Sequence, residues 1–85
     1  MRAAGEIQLC YRRNGLPFAR LAQVVPKRLA ARAVDRSRLR RVLREVFRLS
    51  QGGWSGYDCV FKLRSAYTPE RDFGQLARAV LAPGP

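Results

Sequence analysis

The chain has 85 residues and a net charge of +11, with 17 lysines and arginines against 6 aspartates and glutamates. Its hydrophobic fraction of 47% is that of a folded domain, so the charge is not the mark of a disordered tail, and this length supports one domain with a modest core. Histidine is absent and Cys10 and Cys59 are the only cysteines, which excludes ordinary zinc sites, histidine general bases and cysteine–histidine nucleophile pairs.

No apolar run approaches the roughly 20 residues of a membrane span, and the first seven residues carry no signal-peptide pattern. A cytoplasmic location is expected, with both cysteines acting as small apolar residues in a reducing compartment. Fifteen of the basic residues are arginine and only Lys27 and Lys62 are lysine. Arginine's planar fork suits bidentate phosphate contacts and stacking on bases.

Residues 6–12 alternate, with Ile7, Leu9 and Tyr11 on one side, and predict a half-buried strand. Asn14-Gly15 predicts a hairpin turn into a second strand over 18–25, which Pro26 ends. A basic, alanine-rich segment follows, containing Lys27, Arg28 and Arg32. Asp35 is placed to cap a helix over 36–50, in which Leu39, Val42, Leu43, Val46 and Phe47 form the core-facing stripe. Arg40, Arg41, Arg44 and Arg48 fall on the opposite face, with Arg36 and Arg38 beside them near the start.

Gln51-Gly52-Gly53 predicts the helix stop. Tyr57, Cys59, Phe61 and Leu63 define one face of a third strand over 57–64. Thr68-Pro69 predicts the start of a second helix over 69–81, with proline at its first position. The result is one α+β domain over residues 1–85, a two-layer sandwich of order β-β-α-β-α. Helices cover one sheet face and leave the other free for a ligand.

Six arginines lie between Arg36 and Arg48, and only Glu45 interrupts their outer face. Solvated helix faces normally mix signs, and this one does not. A polyanion relieves the repulsion by accepting the cations and releasing its counterions. An anionic membrane is the weaker reading, because the apolar stripe is needed for the core and the polar face lacks aromatic anchors.

Tyr11, Phe18, Tyr57 and Phe61 lie on or next to strands, where aromatic side chains on an open sheet face can stack unpaired bases; core packing is the competing reading and is favoured for Phe61. Trp54 reads equally well as a loop plug or an exposed stacking group. The six carboxylates are Glu6, Asp35, Glu45, Asp58, Glu70 and Asp72, and no two fall at a recognisable metal or acid/base spacing. No catalytic residue and no metal ligand is predicted in the polypeptide.

The stretch VVPKRLAARAVDRSRLRRVLREVFR, residues 24–48, resembles the bacterial ribonuclease P protein component. Ala33, Val34, Arg36, Ser37 and Arg38 stand in register with the opening of that family's RNR signature. Leu39, Arg40, Arg41, Arg44, Glu45, Phe47 and Arg48 continue it. The resemblance implies a ribosomal protein S5 domain 2-like sandwich with a left-handed crossover between parallel strands.

The resemblance also implies a function: a protein that helps a catalytic RNA remove the 5′ leader of precursor tRNA. Lys27, Arg28, Arg32, Arg36, Ser37, Arg38, Arg40, Arg41, Arg44 and Arg48 would lie on RNA. Tyr11 and Phe18 would lie toward the leader. Mg²⁺ would act with the RNA, the protein binding no cofactor alone and requiring no protein partner. Ser37 replaces the signature's asparagine. The first strand starts almost at Met1, so the chain reads as a shortened member lacking the usual N-terminal helix. A small ribosome-associated RNA-binding module is the competing reading, and a membrane or protein-interaction helix pair comes third.

Overall fold

A computed structural model describes all 85 residues. Four strands, β1 (Arg2–Ala4), β2 (Ile7–Arg13), β3 (Arg20–Val24) and β4 (Tyr57–Leu63), form one sheet of order β1-β2-β4-β3. Two helices, α1 (Ala33–Ser50) and α2 (Phe73–Leu81), pack on the sheet and on each other. The α+β sandwich expected from the sequence is the observed architecture.

Side-chain parity decides which sheet face the helices cover. Ile7 and Leu9 of β2 and Cys59, Phe61 and Leu63 of β4 are buried. They meet Leu39, Leu43, Val46 and Phe47 of α1 and Phe73, Ala77, Val80 and Leu81 of α2 in a single core. No polar or charged residue is buried, so the core rests on apolar burial alone.

The sheet departs from the sequence expectation in two ways. An extra strand, β1, precedes the first expected one and pairs antiparallel with β2, Ala4 opposite Ile7. Gly5, at φ +54, supplies the left-handed turn that this short reversal requires. Nothing in Arg2-Ala3-Ala4 alternates, so periodicity could not reveal it. The Arg2 guanidinium anchors the strand by donating to the carbonyls of Val80 (3.1 Å) and Gly84.

Asn14-Gly15 does not close a hairpin. β4 lies between β2 and β3, antiparallel to the first and parallel to the second. The reason is burial. Three side chains of β4 are fully enclosed and need neighbours on both sides, whereas no residue of β3 is buried and it takes the edge. Asn14 instead folds the connection on itself, its Oδ1 accepting from the Leu16 N–H at 2.8 Å. The parallel β3–β4 pair is joined through α1, as the family resemblance implies.

Helix ends also move. α1 starts at Ala33 with Arg32 as an N-cap that offers no side-chain bond, so Asp35 lies in the first turn rather than at the cap. Its charge still favours the positive end of the helix. Gln51–Trp54 continues α1 as a 3₁₀ turn instead of stopping it, and Gly56, at φ +86, makes the actual turn into β4. Thr68-Pro69 does not start α2; Asp72 caps it, accepting from the Gln75 N–H at 3.0 Å. Replacing Asp72 with alanine is expected to cost about 1 kcal/mol of stability, seen as a lower denaturant midpoint at unchanged slope.

Trp54 is a plug. Its ring is buried, Nε1 donates to the Leu81 carbonyl at 3.2 Å, and Tyr11 and Tyr57 pack edge-on at 5.0 and 5.9 Å.

Candidate nucleic-acid interface

The outer face of α1 follows from the same stripe that docks it. With Leu39, Leu43, Val46 and Phe47 turned inward, Ser37, Arg41, Arg44 and Arg48 form a line at i, i+4, i+7 and i+11 along the exposed side. Arg40 and Arg38 lie on its two flanks. The Arg40 carbonyl accepts from Gln23 Nε2 of β3 at 2.9 Å, while Arg38 borders a groove shared with Tyr67, Arg71 and Phe73. Lys27, Arg28 and Arg32 are exposed in the segment leading into the helix.

Two of the six arginines already have partners within the chain. Arg36 Nη1 donates to the Ala30 and Ala31 carbonyls, both at 2.9 Å, and so ties the preceding loop to the helix. Arg48 pairs with Glu45 at 2.6 Å, which holds the Glu45 carboxyl below its ordinary range. The other ion pairs of the chain, Arg20–Asp58 and Arg71–Glu6, lie elsewhere. Arg38, Arg40, Arg41 and Arg44 are therefore exposed cations in no ion pair. Such a row is a surface that a phosphate backbone neutralises.

The second surface is the sheet face opposite the helices. Gln8, Cys10 and Arg12 of β2 lie beside Lys62, Val60 and Asp58 of β4, and these beside Val24, Ala22 and Arg20 of β3. A concavity of about 480 Å³ is lined there by Cys10, Arg12, Arg20, Ala22, Asp58 and Val60. Its floor is apolar, and its rim carries Arg12 and the Arg20–Asp58 ion pair. Phe18, 52% exposed, stands in the loop leading to β3.

Tyr11 corrects the sequence expectation. It shares the side of Ile7 and Leu9, so it turns toward the helix layer, packs on Trp54 and Tyr57, and lies beneath the Arg2 guanidinium at 5.3 Å. Strand parity alone required this. The same parity identifies Cys10, Arg12, Val60 and Lys62 as open-face residues that a search for aromatics passes over.

Asp58 is the only acidic residue in any strand. Hydrogen bonds from Arg20 first and Asn14 second hold its carboxyl at about 2, below the ordinary 3.8. A group depressed on folding stabilises the fold above its unfolded value and loses that contribution as pH falls toward its folded value. The melting temperature of the wild type is thus expected to fall relative to that of Asp58→Asn as pH drops from 3.8 to about 2. Parallel melting curves across that window would contradict it. Cys59 is the opposite case, its thiol pushed up to about 11 by burial and therefore unreactive.

No group of three or more cysteine, aspartate or glutamate side chains is placed to hold a metal ion. No helix is long and apolar enough to cross a membrane.

Fold and charge together define a small basic α+β domain with a row of exposed arginines along one helix. A family model described as ribonuclease P matches residues 2–82. The ribonuclease P protein component of Chromobacterium violaceum is 45% identical over 75 residues, covering 88% of this chain and 59% of that protein. That of Histophilus somni is 46% identical over 55 residues, 65% of this chain and 46% of its own. The solved RNase P protein from Thermotoga maritima, in complex with 1-(4-fluorophenyl)-2-thiourea, superposes with a TM-score of 0.65 at 34% identity. The match covers 72% of this chain and 57% of that one. The chain belongs to the ribonuclease P protein family, and the stretch matched spans 46–59% of these two relatives.

Proposed function

We propose that this chain is the RNA-binding protein subunit of ribonuclease P, acting in the cytoplasm with a catalytic RNA to remove the 5′ leader of precursor tRNA. One observation carries the reading: on the scaffold of this family, α1 turns Arg38, Arg40, Arg41 and Arg44 outward with no ion-pair partner. The cations would neutralise RNA phosphates and release counterions. Ser37 adds a hydroxyl, and Lys27, Arg28 and Arg32 extend the charge toward the loop. The open sheet face would receive the single-stranded leader, its apolar floor against bases and Arg12 at its rim against phosphates.

The polypeptide's part is affinity and position rather than bond cleavage. Asp58 is committed to Arg20, Glu45 to Arg48, Glu6 to Arg71 and Asp72 to the cap of α2. These carboxylates do not converge, so the chain does not fit a Mg²⁺ site of its own; the metal would be held by the RNA.

Reconstitution tests the proposal. The chain is combined with ribonuclease P RNA at limiting Mg²⁺, and 5′ cleavage of precursor tRNA is followed. Faster cleavage than by the RNA alone is expected. No stimulation, with equal binding to unrelated RNA, would favour a ribosome-associated module instead.

A further inference from the structure

A carboxylate on a basic face meant for RNA demands a reason, because it opposes the charge around it. The core does not use Asp58, which lies on the open side of β4. Its partners are what distinguish it. Arg20 approaches side-on, Nε on Oδ1 and Nη2 on Oδ2, both at 2.7 Å. Asn14 Nδ2 donates to Oδ1 at 3.0 Å and also to the Phe18 carbonyl at 3.2 Å. The Gly56 N–H donates to that same carbonyl at 3.3 Å, and the Gly56 carbonyl accepts from the Asn14 N–H at 2.8 Å.

Two consequences follow from this geometry. The backbone of Phe18 is held from two directions, both anchored at the start of β4, while its ring stays 52% exposed. An exposed aromatic on a fixed backbone loses little freedom when a base stacks on it. Meanwhile the fork of Arg20 is turned to a carboxylate, so part of its charge is withdrawn from any passing phosphate.

We propose that Asp58 is a positioning residue. Through Asn14 it fixes Phe18 as a platform for an unstacked base of single-stranded RNA, and through Arg20 it limits indiscriminate phosphate binding on the open sheet face. The proposal rests on the reading of the open sheet face as the one that receives single-stranded RNA.

The test uses the whole chain, a short oligoadenylate and an RNA duplex, with affinities measured over a range of salt. Phe18→Ala is expected to weaken oligoadenylate binding about tenfold, the loss of one stacked base, and to leave duplex binding unchanged. Asn14→Ala, which keeps the Arg20–Asp58 pair, is expected to give the same loss without altering the salt dependence. Asp58→Asn is expected to give the loss and also to steepen the salt slope by about 0.7, because Arg20 is released to phosphate. In the Phe18→Ala background neither Asn14→Ala nor Asp58→Asn should weaken oligoadenylate further.

Losses that multiply in the double variants, or an unchanged slope for Asp58→Asn, would overturn the proposal. A merely structural role would weaken both RNAs equally, which would overturn it as well. Should Asp58→Asn fail to fold, the Asn14→Ala and Phe18→Ala cycle decides the matter. A wild type with no preference for oligoadenylate over duplex would remove the sheet-face reading and the proposal together. A preference that survives loss of Asp58 would remove only the proposal.

Discussion

Replacing Arg40, Arg41 and Arg44 together with glutamine is expected to weaken binding to ribonuclease P RNA about a hundredfold at moderate salt. It should also reduce the slope of log affinity against log salt by about 2.7, or about 0.9 for each cation removed. These three side chains are exposed and carry no ion pair, so their loss leaves no unpaired charge within the chain. Melting of the free protein should therefore be unchanged or raised, since like charges are removed from one face. The same exchange at Arg36 should act differently. Its guanidinium holds the Ala30 and Ala31 carbonyls, so Arg36→Gln should destabilise the loop before α1 more than it changes the salt slope. Isothermal titration over a salt series separates the two outcomes. An unchanged slope in the triple variant would mean that RNA uses another face.

Phe61→Ala is expected to have the largest effect on stability. The side chain is fully buried in β4, the central strand flanked by β2 and β3, and truncating such a residue costs about 3–5 kcal/mol. A small domain has about 5–15 kcal/mol in total, and a charge of +11 on 85 residues works against the compact state. The melting midpoint should fall by about 12 °C or more. Saturating ribonuclease P RNA should restore much of the loss, because a ligand that binds only the folded state stabilises it by mass action. A midpoint within a few degrees of wild type would show that the core around β4 is not the one described.

Much of this architecture is legible in the amino-acid sequence, and the features that are not have physical causes. The stripe of Leu39, Leu43, Val46 and Phe47 announces both a docked helix and its outer face, because a single period of 3.6 fixes inside and outside at once. Alternation in 57–63 reveals the buried side of β4 in the same way. Strand order is not readable, because Asn14-Gly15 has the local chemistry of a hairpin and only the burial demand of β4 overrides it. β1 escapes because its placement depends on Gly5 and on the reach of Arg2 to the far end of the chain, neither of which leaves a periodic signal. Asp35 and Thr68-Pro69 are sound caps by composition, but helix ends are set by where packing begins and ends. Arg36 and Arg48 look like their free neighbours until the fold brings their partners into place. Tyr11 is different, since parity with Ile7 and Leu9 already turns it inward.

On the proposed function two faces would meet two RNAs, and crosslinking tests that division directly. A photoreactive group on Cys10 probes the open sheet face, while one on Ser37→Cys in a Cys10→Ser background probes the outer face of α1. Cys59 is buried and its thiol unreactive, so it does not interfere. In the assembled complex with precursor tRNA, the group at position 37 should mark ribonuclease P RNA and the group at position 10 should mark the 5′ leader. The reverse assignment, or equal marking of unrelated RNA from both positions, would contradict the account.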